Sequence, residues 1–351
     1  MSRFILCLAA LSLITACAQP AQPAKEKTTE TISARSGTES DQDLCYQKSS
    51  DPGHNHQRSL DACQRLIATG EYQGFTLARF HNNAGAELDD LYRYEDAIAA
   101  FDRAIAIKPD YARAWRNKSY TLNELYRYEA ALVAVDRALE IQPESGASVG
   151  HKGRVLRNLE RLSEARDALE LARALSPNDD WVVRELGWVF HDEDNFKRAL
   201  KQFEAALKMD PKDHWNHYAI GYVLLDLNRH DDALAAFDRA IEINQQAPSL
   251  YNLRGYTRLI EKTSEFDVRR ATTDLERAIQ LHPRHEYALH HLAVAYAYQG
   301  RGAEAVAMLK RGVDVRILKS KVRRVVRILW DKKLKTHAMA ASDILKKAEK
   351  S

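Results

Sequence analysis

The chain has 351 residues, 45% of them hydrophobic and 29% charged, with a formal net charge of only +3. That length could hold two or three ordinary domains, but no phosphate-binding loop and no dinucleotide fingerprint occurs in it, which removes the common nucleotide-dependent enzyme classes. Charge is unevenly placed: from Arg316 onward twelve Lys or Arg stand against Asp331, Asp343 and Glu349, a net of +9 that leaves −6 for the preceding residues.

Residues 1–17 carry a basic start at Arg3, an apolar run over 4–14, and then Thr15, Ala16 and Cys17. The run is too short to span a bilayer and fits the apolar region of a signal peptide. The segment resembles a bacterial lipoprotein signal, with Ile14 where Leu is usual. The resemblance implies that Cys17 becomes the lipidated first residue of the mature chain, and Ala18 after it resembles the pattern of outer-membrane lipoproteins. The alternative is an ordinary cleaved signal with an incidental cysteine. Residues 18–41, rich in Ala, Gln, Pro, Thr, Ser and Glu, cannot support a core and read as a disordered tether.

Residues 42–77 read as a degenerate N-terminal repeat or cap. Export places Cys45 and Cys63 in an oxidising compartment, which predicts a disulfide between them, the alternative being two buried free thiols. Closing that loop would contribute roughly 3 kcal/mol in the chain-entropy model.

From Ala78 the chain repeats with a 34-residue period. The first unit, 78–111, has Gly85, Ala97, Phe101, Ala104 and Pro109. At the last four offsets the second has Ala131, Val135, Ala138 and Pro143, the third Ala165, Leu169, Ala172 and Pro177, and the fourth Ala199, Phe203, Ala206 and Pro211. The fifth keeps Ala233, Phe237 and Ala240 but has Gln245 in place of proline. The sixth keeps Ala271, Leu275, Ala278 and Pro283, with four extra residues somewhere in 261–270. The seventh keeps Ala305, Leu309 and Gly312, with Ile317 in place of proline. Apolar residues recur at helical spacing and none alternate with period two, so each unit reads as two helices. A glycine on the first helix lets the second approach, alanine faces the gap, and Leu or Phe fills the seam. The proline ends the unit.

This pattern resembles the tetratricopeptide repeat (TPR) over about two-thirds of the chain. The resemblance implies an all-α, right-handed superhelical solenoid: seven units over 78–319, a disulfide-stapled half-repeat before them, and basic capping helices over 320–351. In that family, six positions of each first helix line a concave groove. Here they give a basic, donor-rich half (Arg79, Asn82, Asn83, Arg113, Arg116, Asn117, Tyr120, His151, Arg154 and Arg157) and an aromatic half. The second comprises Trp181, Arg184, Trp188, His191, Trp215, Tyr218, Tyr222, Asn252, Tyr256, Tyr287, His290 and Tyr298. The carboxylate clamp of the chaperone-binding members fails: Asn117 matches, while Asn82, Ala86, Ala147 and His151 stand at the other positions. The groove suits an extended protein segment with an acidic stretch and apolar anchors, the alternatives being a peptidoglycan or polysaccharide strand stacked on Trp181, Trp188 and Trp215, and aromatics that only pack between neighbouring first helices.

No catalytic set emerges. Gly146, Ser148 and Gly150 match a nucleophile elbow, which needs a strand-to-helix turn, but they open a repeat helix. His285, Glu286 and His290 miss the zinc-protease spacing by one residue. His54, Asn55 and His56, or His214 with His217, could touch a metal, but with no carboxylate or cysteine at metal spacing they read as a solvated loop and repeat-surface histidines. No cofactor and no metal are assigned. At the C-terminus, Leu318, Val322, Val325, Val326 and Leu329 share a helical face opposite Lys321, Arg323, Arg324 and Arg327. A second short helix follows over 337–348, the pattern of a solenoid cap, the alternative being a partner-binding or membrane-surface helix. The expected function is a lipid-anchored, non-catalytic adaptor on the periplasmic side of a bacterial envelope, with no nucleic-acid partner.

Overall fold

A computed structural model describes residues 40–47, 54–261, 264–312 and 319–348, with side chains left out at 261, 319–323 and 345–348. The expected signal peptide, Cys17, nearly all of the tether, Leu318 and Ile317 lie outside the described residues or side chains. The described residues form eighteen helices and no strand. None of these helices is long and apolar enough to cross a membrane. The chain divides into two compact units, the first ending at Glu193 and the second beginning at Asp194.

The first unit holds α1 (Asp41–Tyr46), α2 (His56–Ala68), α3 (Gly74–Asp90), α4 (Tyr94–Ile107), α5 (Ala112–Glu124), α6 (Tyr128–Ile141), α7 (Gly146–Asn158), α8 (Leu162–Leu175) and α9 (Asp180–Asp192). The second holds α10 (Phe196–Met209), α11 (His214–Asp226), α12 (His230–Ile243), α13 (Pro248–Glu261), α14 (Glu265–Leu281), α15 (Glu286–Tyr298), α16 (Gly302–Arg311), α17 (Lys319–Asp331) and α18 (Lys335–Ala348). Within each unit a helix packs on its partner and then on the first helix of the next pair.

The seam follows the repeat. Ala97, Ala131, Ala165, Ala199, Ala233, Ala271 and Ala305 are all fully buried, and so are Val135, Leu169, Phe203, Phe237, Leu275 and Leu309. A Cβ at Gly221 would stand 2.6 Å from Phe237 Cε1, and one at Gly85 2.6 Å from Phe101 Cε1. Glycine is therefore needed there by the close approach of a second-helix side chain. In the second pair Ser119 takes the glycine's place, and its hydroxyl donates to the Ala131 carbonyl at 2.7 Å, so the polar atom is satisfied inside the seam.

Two further regularities repeat. The first helices α3, α5, α7, α9 and α11 each end on a left-handed residue, with φ of 61° at Tyr92, 59° at Tyr126 and Glu160, 57° at Asp194 and 56° at Asn228. The next N–H bonds back five residues, as Arg93 N does to Leu88 O at 2.8 Å and Arg229 N to Leu224 O at 2.9 Å, which caps the orphan carbonyls. The arginine after that residue then pairs with an acid in the first turn of the second helix: Arg93 with Asp96, Arg161 with Glu164, Arg229 with Asp232. At the other end, the residue before each proline is bent out of the helix, with φ −136° at Lys108 and −130° at Asp210. Asn244 adopts the same bend, φ −132°, before Gln245. The geometry thus survives without the ring.

The four extra residues of the sixth pair do not enlarge its loop. They lengthen the helices instead: α14 has 17 residues where α12 has 14, and α13 has 14 where α11 has 13.

Both ends are closed differently. At the start, Cys45 and Cys63 are bonded, joining α1 to α2, and Leu44, Leu60, Phe80 and Phe101 share one cluster with them. Arg65 pairs with Asp41 on the surface. At the end, Val325, Ile328, Leu329, Ala338, Ala341 and Ile344 join the apolar cluster of α15 and α16, while Arg327 faces solvent and Arg324 donates to the Tyr298 hydroxyl at 3.4 Å. The expected cap face at Val325, Val326 and Leu329 packs inward as the spacing required.

Candidate functional site

The first helices of the pairs carry the residues expected to line a ligand groove, and their fates differ between the two units.

In the first unit, α3, α5, α7 and α9 present a polar face. Asn117 donates to Asn82 Oδ1 at 3.0 Å, Asn82 to Asn83 at 3.2 Å, and Asn83 to the Cys45 carbonyl at 3.0 Å. Asn82 is fully buried, so these amides join successive helices. Arg154 donates twice to Glu185, at 2.8 and 3.1 Å, and lies 4.8 Å from the Trp181 ring. Arg157 stands 3.8 Å from both Glu185 and Asp192, and Arg184 is 3.3 Å from Asp180. Burial pushes the Glu185 carboxyl up, but the charges of Arg154 and Arg157 outweigh it and leave the group below the ordinary range. Arg154, Arg157 and Arg184 are thereby neutralised within the chain.

His151 is buried, bonded to the Ser119 hydroxyl at 2.9 Å and packed 3.7 Å from the Tyr120 ring. Burial, and then the field of Arg154, push its imidazole well below the ordinary value, so it is neutral. Three cations remain. Arg79 lies 4.4 Å over the Tyr46 ring and is exposed, as is Arg113, while Arg116 is half-buried. None of the three has an ion pair among the described residues, whereas all three act electrostatically on Tyr111. Arg116 also acts on Tyr120.

The expected basic half is therefore corrected. Glu185 and Asp192, at the sixth and thirteenth positions of α9, belong to the same face and cancel two of its arginines. Asp89, Asp90 and Glu124 close the C-terminal ends of α3 and α5. Burial pushes Asp89 up to about 6, the hydrogen bond from Thr121 opposing and the charges of Asp90 and Glu124 adding to it. The repeat frame placed all five acids on the face; reading only its basic and aromatic members hid them.

In the second unit, α11, α13 and α15 present rings. Tyr218, Tyr222 and Tyr287 are buried, at 6, 8 and 7% exposure. Trp215 packs 5.3 Å from Tyr218, which lies 6.1 Å from Tyr222. Tyr256 stacks on His291 at 4.5 Å, and His291 bonds Asn252 at 2.9 Å. His290 is buried at 1% exposure. These rings fill the space between first helices, so the aromatic half is in large part packing. Trp215 and Tyr256 here, and Trp181 and Trp188 in the first unit, stay half-exposed.

The motifs set aside are explained by the helices. Gly146, Ser148 and Gly150 lie in the first turns of α7, capped by Ser145, and Ser148 is buried. His285 is the N-cap of α15, its ring accepting from the Ala288 N–H. His214 bonds Asn244 at 3.2 Å. The solvated-loop expectation for His54 and His56 is corrected: the His54 side chain is 3% exposed, and both rings meet the buried carboxylate of Glu87. That carboxylate comes from the next helix, beyond any local spacing rule.

Family profiles described as Tetratricopeptide repeat match residues 83–146, 127–180 and 184–248, and another of the same description matches 287–317. A comparison with curated proteins finds no match. Among solved structures, this chain is similar to yeast Tom70 (TM-score 0.62, 18% identity, 86% of this chain and 64% of that one). It is also similar to a tetratricopeptide repeat protein from Parabacteroides merdae (0.58, 14%, 68% and 92%) and to the human IFIT1 dimer with m7Gppp-AAAA (0.59, 16%, 84% and 74%).

Proposed function

From the premise that the chain belongs to the tetratricopeptide repeat family, we propose that it is a non-catalytic scaffold holding an extended protein segment against the first-helix face of its first unit. The observation that carries this reading is the group Arg79, Arg113 and Arg116, three guanidinium groups without an ion pair among the described residues, on a face whose other arginines are neutralised. With Arg79 and Arg113 exposed, Arg116 half-buried and none of them in an ion pair among the described residues, they are suited to a partner's carboxylates, each of which can accept a bidentate arginine contact. The half-exposed Trp181 and Trp188 offer flat apolar ground beyond them.

Fold alone does not choose the ligand class, since the human relative was solved with m7Gppp-AAAA. The acids on the same face do bear on it. Asp89 and Glu124, which form no ion pair among the described residues, would repel a continuous phosphate backbone, while a polypeptide of mixed charge can meet both signs. The same proposal places the chain on the periplasmic side of a bacterial envelope, anchored through Cys17. What supports that part is the sequence of residues 1–17 together with the disulfide, a bond that persists in oxidising compartments.

The test is photocrosslinking in cells from a reactive residue at position 113, with a Cys17→Ser form in parallel. One dominant protein adduct, lost when Arg79 and Arg116 are changed to Ala, is the expected result. Absence of protein adducts together with retention on isolated cell wall would replace this reading with glycan binding.

A further inference from the structure

We propose that His54, His56 and Glu87, with Asp90 beside them, form a zinc-binding site at the N-terminal edge of the first unit. His54 Nε2 lies 3.0 Å from Glu87 Oε2, and His56 Nδ1 lies 2.9 Å from the same oxygen. Asp90 Oδ2 is 3.4 Å from His56 Nδ1. One donor atom from each of His54, His56 and Glu87 falls within 4.8 Å of the others. Around a tetrahedral zinc ion with bonds of 2.0–2.1 Å, neighbouring donors stand about 3.3 Å apart. The three clustered donors need to move by no more than about 1.5 Å relative to one another to meet that spacing, and Asp90, 3.4 Å from His56 Nδ1, offers a second carboxylate.

The donors belong to a built environment. The side chains of His54 and Glu87 are 3% and 5% exposed. The His54 Nδ1 is buried and has no hydrogen-bond partner among the described residues, so among them the ring's hydrogen bonding runs through the nitrogen that faces Glu87. Both elements are held from outside the cluster. His54 lies midway along the loop that the Cys45–Cys63 bond closes, and Asn55 N-caps α2 by accepting from Arg58 N at 2.9 Å. Glu87 and Asp90, three apart, share one face at the end of α3, and Asn83 of the same helix donates to the Cys45 carbonyl at 3.0 Å.

Ligand chemistry selects the ion class. Imidazole with carboxylate suits zinc, whereas calcium and magnesium favour shells made of oxygen alone. The site has the character of a staple, since a bound ion would tie the stapled loop to α3 across about 31–33 residues of chain.

The experiment uses tag-free full chain stripped of metal. Zinc chloride is titrated in competition with a chromophoric chelator, and thermal unfolding is followed with and without zinc. The expected result is one zinc per chain and a rise in melting temperature. Affinity should fall roughly tenfold or more in Glu87→Gln and in His56→Ala, with the melting shift lost in both. His56 is 34% exposed at its side chain, so its variant is expected to fold and keeps the test valid if Glu87→Gln does not. No stoichiometric zinc uptake by the wild type, or uptake unchanged in His56→Ala, would overturn the proposal.

Discussion

The first-helix faces of the two units stand at the same repeat positions yet spend them differently. In the first unit these positions hold amides and ion pairs that satisfy one another, and three arginines are left over. In the second, Tyr218, Tyr222 and Tyr287 turn inward and fill the gaps between helices. On the proposed reading, the same position is a recognition residue in one place and mortar in the other, and only burial and pairing distinguish the two.

Three variants would break or sharpen this contrast. The largest effect is expected at Tyr222, whose ring is buried beside Tyr218. Tyr222→Ala should cost about 3–5 kcal/mol in urea unfolding. A loss under about 1 kcal/mol would return this ring to the list of ligand contacts.

Glu185→Gln should cost about 3 kcal/mol near neutral pH, because it leaves Arg154 and Arg157 buried without their shared anion. The folded-state carboxyl lies below its ordinary value, so its stabilisation is present above the unfolded value and lost as pH falls through the folded one. The gap between variant and wild type should therefore close in acid.

Asp89→Asn should act in the opposite direction. The folded carboxyl titrates at about 6 against an ordinary 3.8, so the native state takes up a proton that the unfolded chain has released. Wild-type stability should then fall as pH rises from about 4 through about 6. The variant keeps an oxygen for Thr121 and lacks that penalty. Its melting temperature should exceed the wild type's near neutral pH and match it in acid; equal values at both would contradict the account.

Much of the fold was legible in the sequence, because the seam is a local code. Gly85, Ala97, Phe101 and Ala104 each answer to the partner helix of their own pair, and the structure buries them as the period required. The insertion in the sixth pair was visible, but its placement was not, since helices and loop compete for the same residues. The faces were harder to read. Whether an arginine is free depends on an acid a full repeat away, as with Arg154 and Glu185, separated by 31 residues. The same distance hid Glu87 from His54 and His56. Burial of Tyr222 likewise depends on how neighbouring helices space themselves, which no single repeat encodes.

The most direct test of the central claim is recovery of the crosslinked partner by two matched variants of the full chain. Arg113→Glu with Arg116→Glu removes two of the three unpaired cations, and Trp215→Ala removes a half-exposed ring of the second unit. The account predicts that the first variant folds as the wild type does and loses the partner, while the second retains most of it. Retention by the charge-reversed variant, with loss in the tryptophan variant, would contradict it.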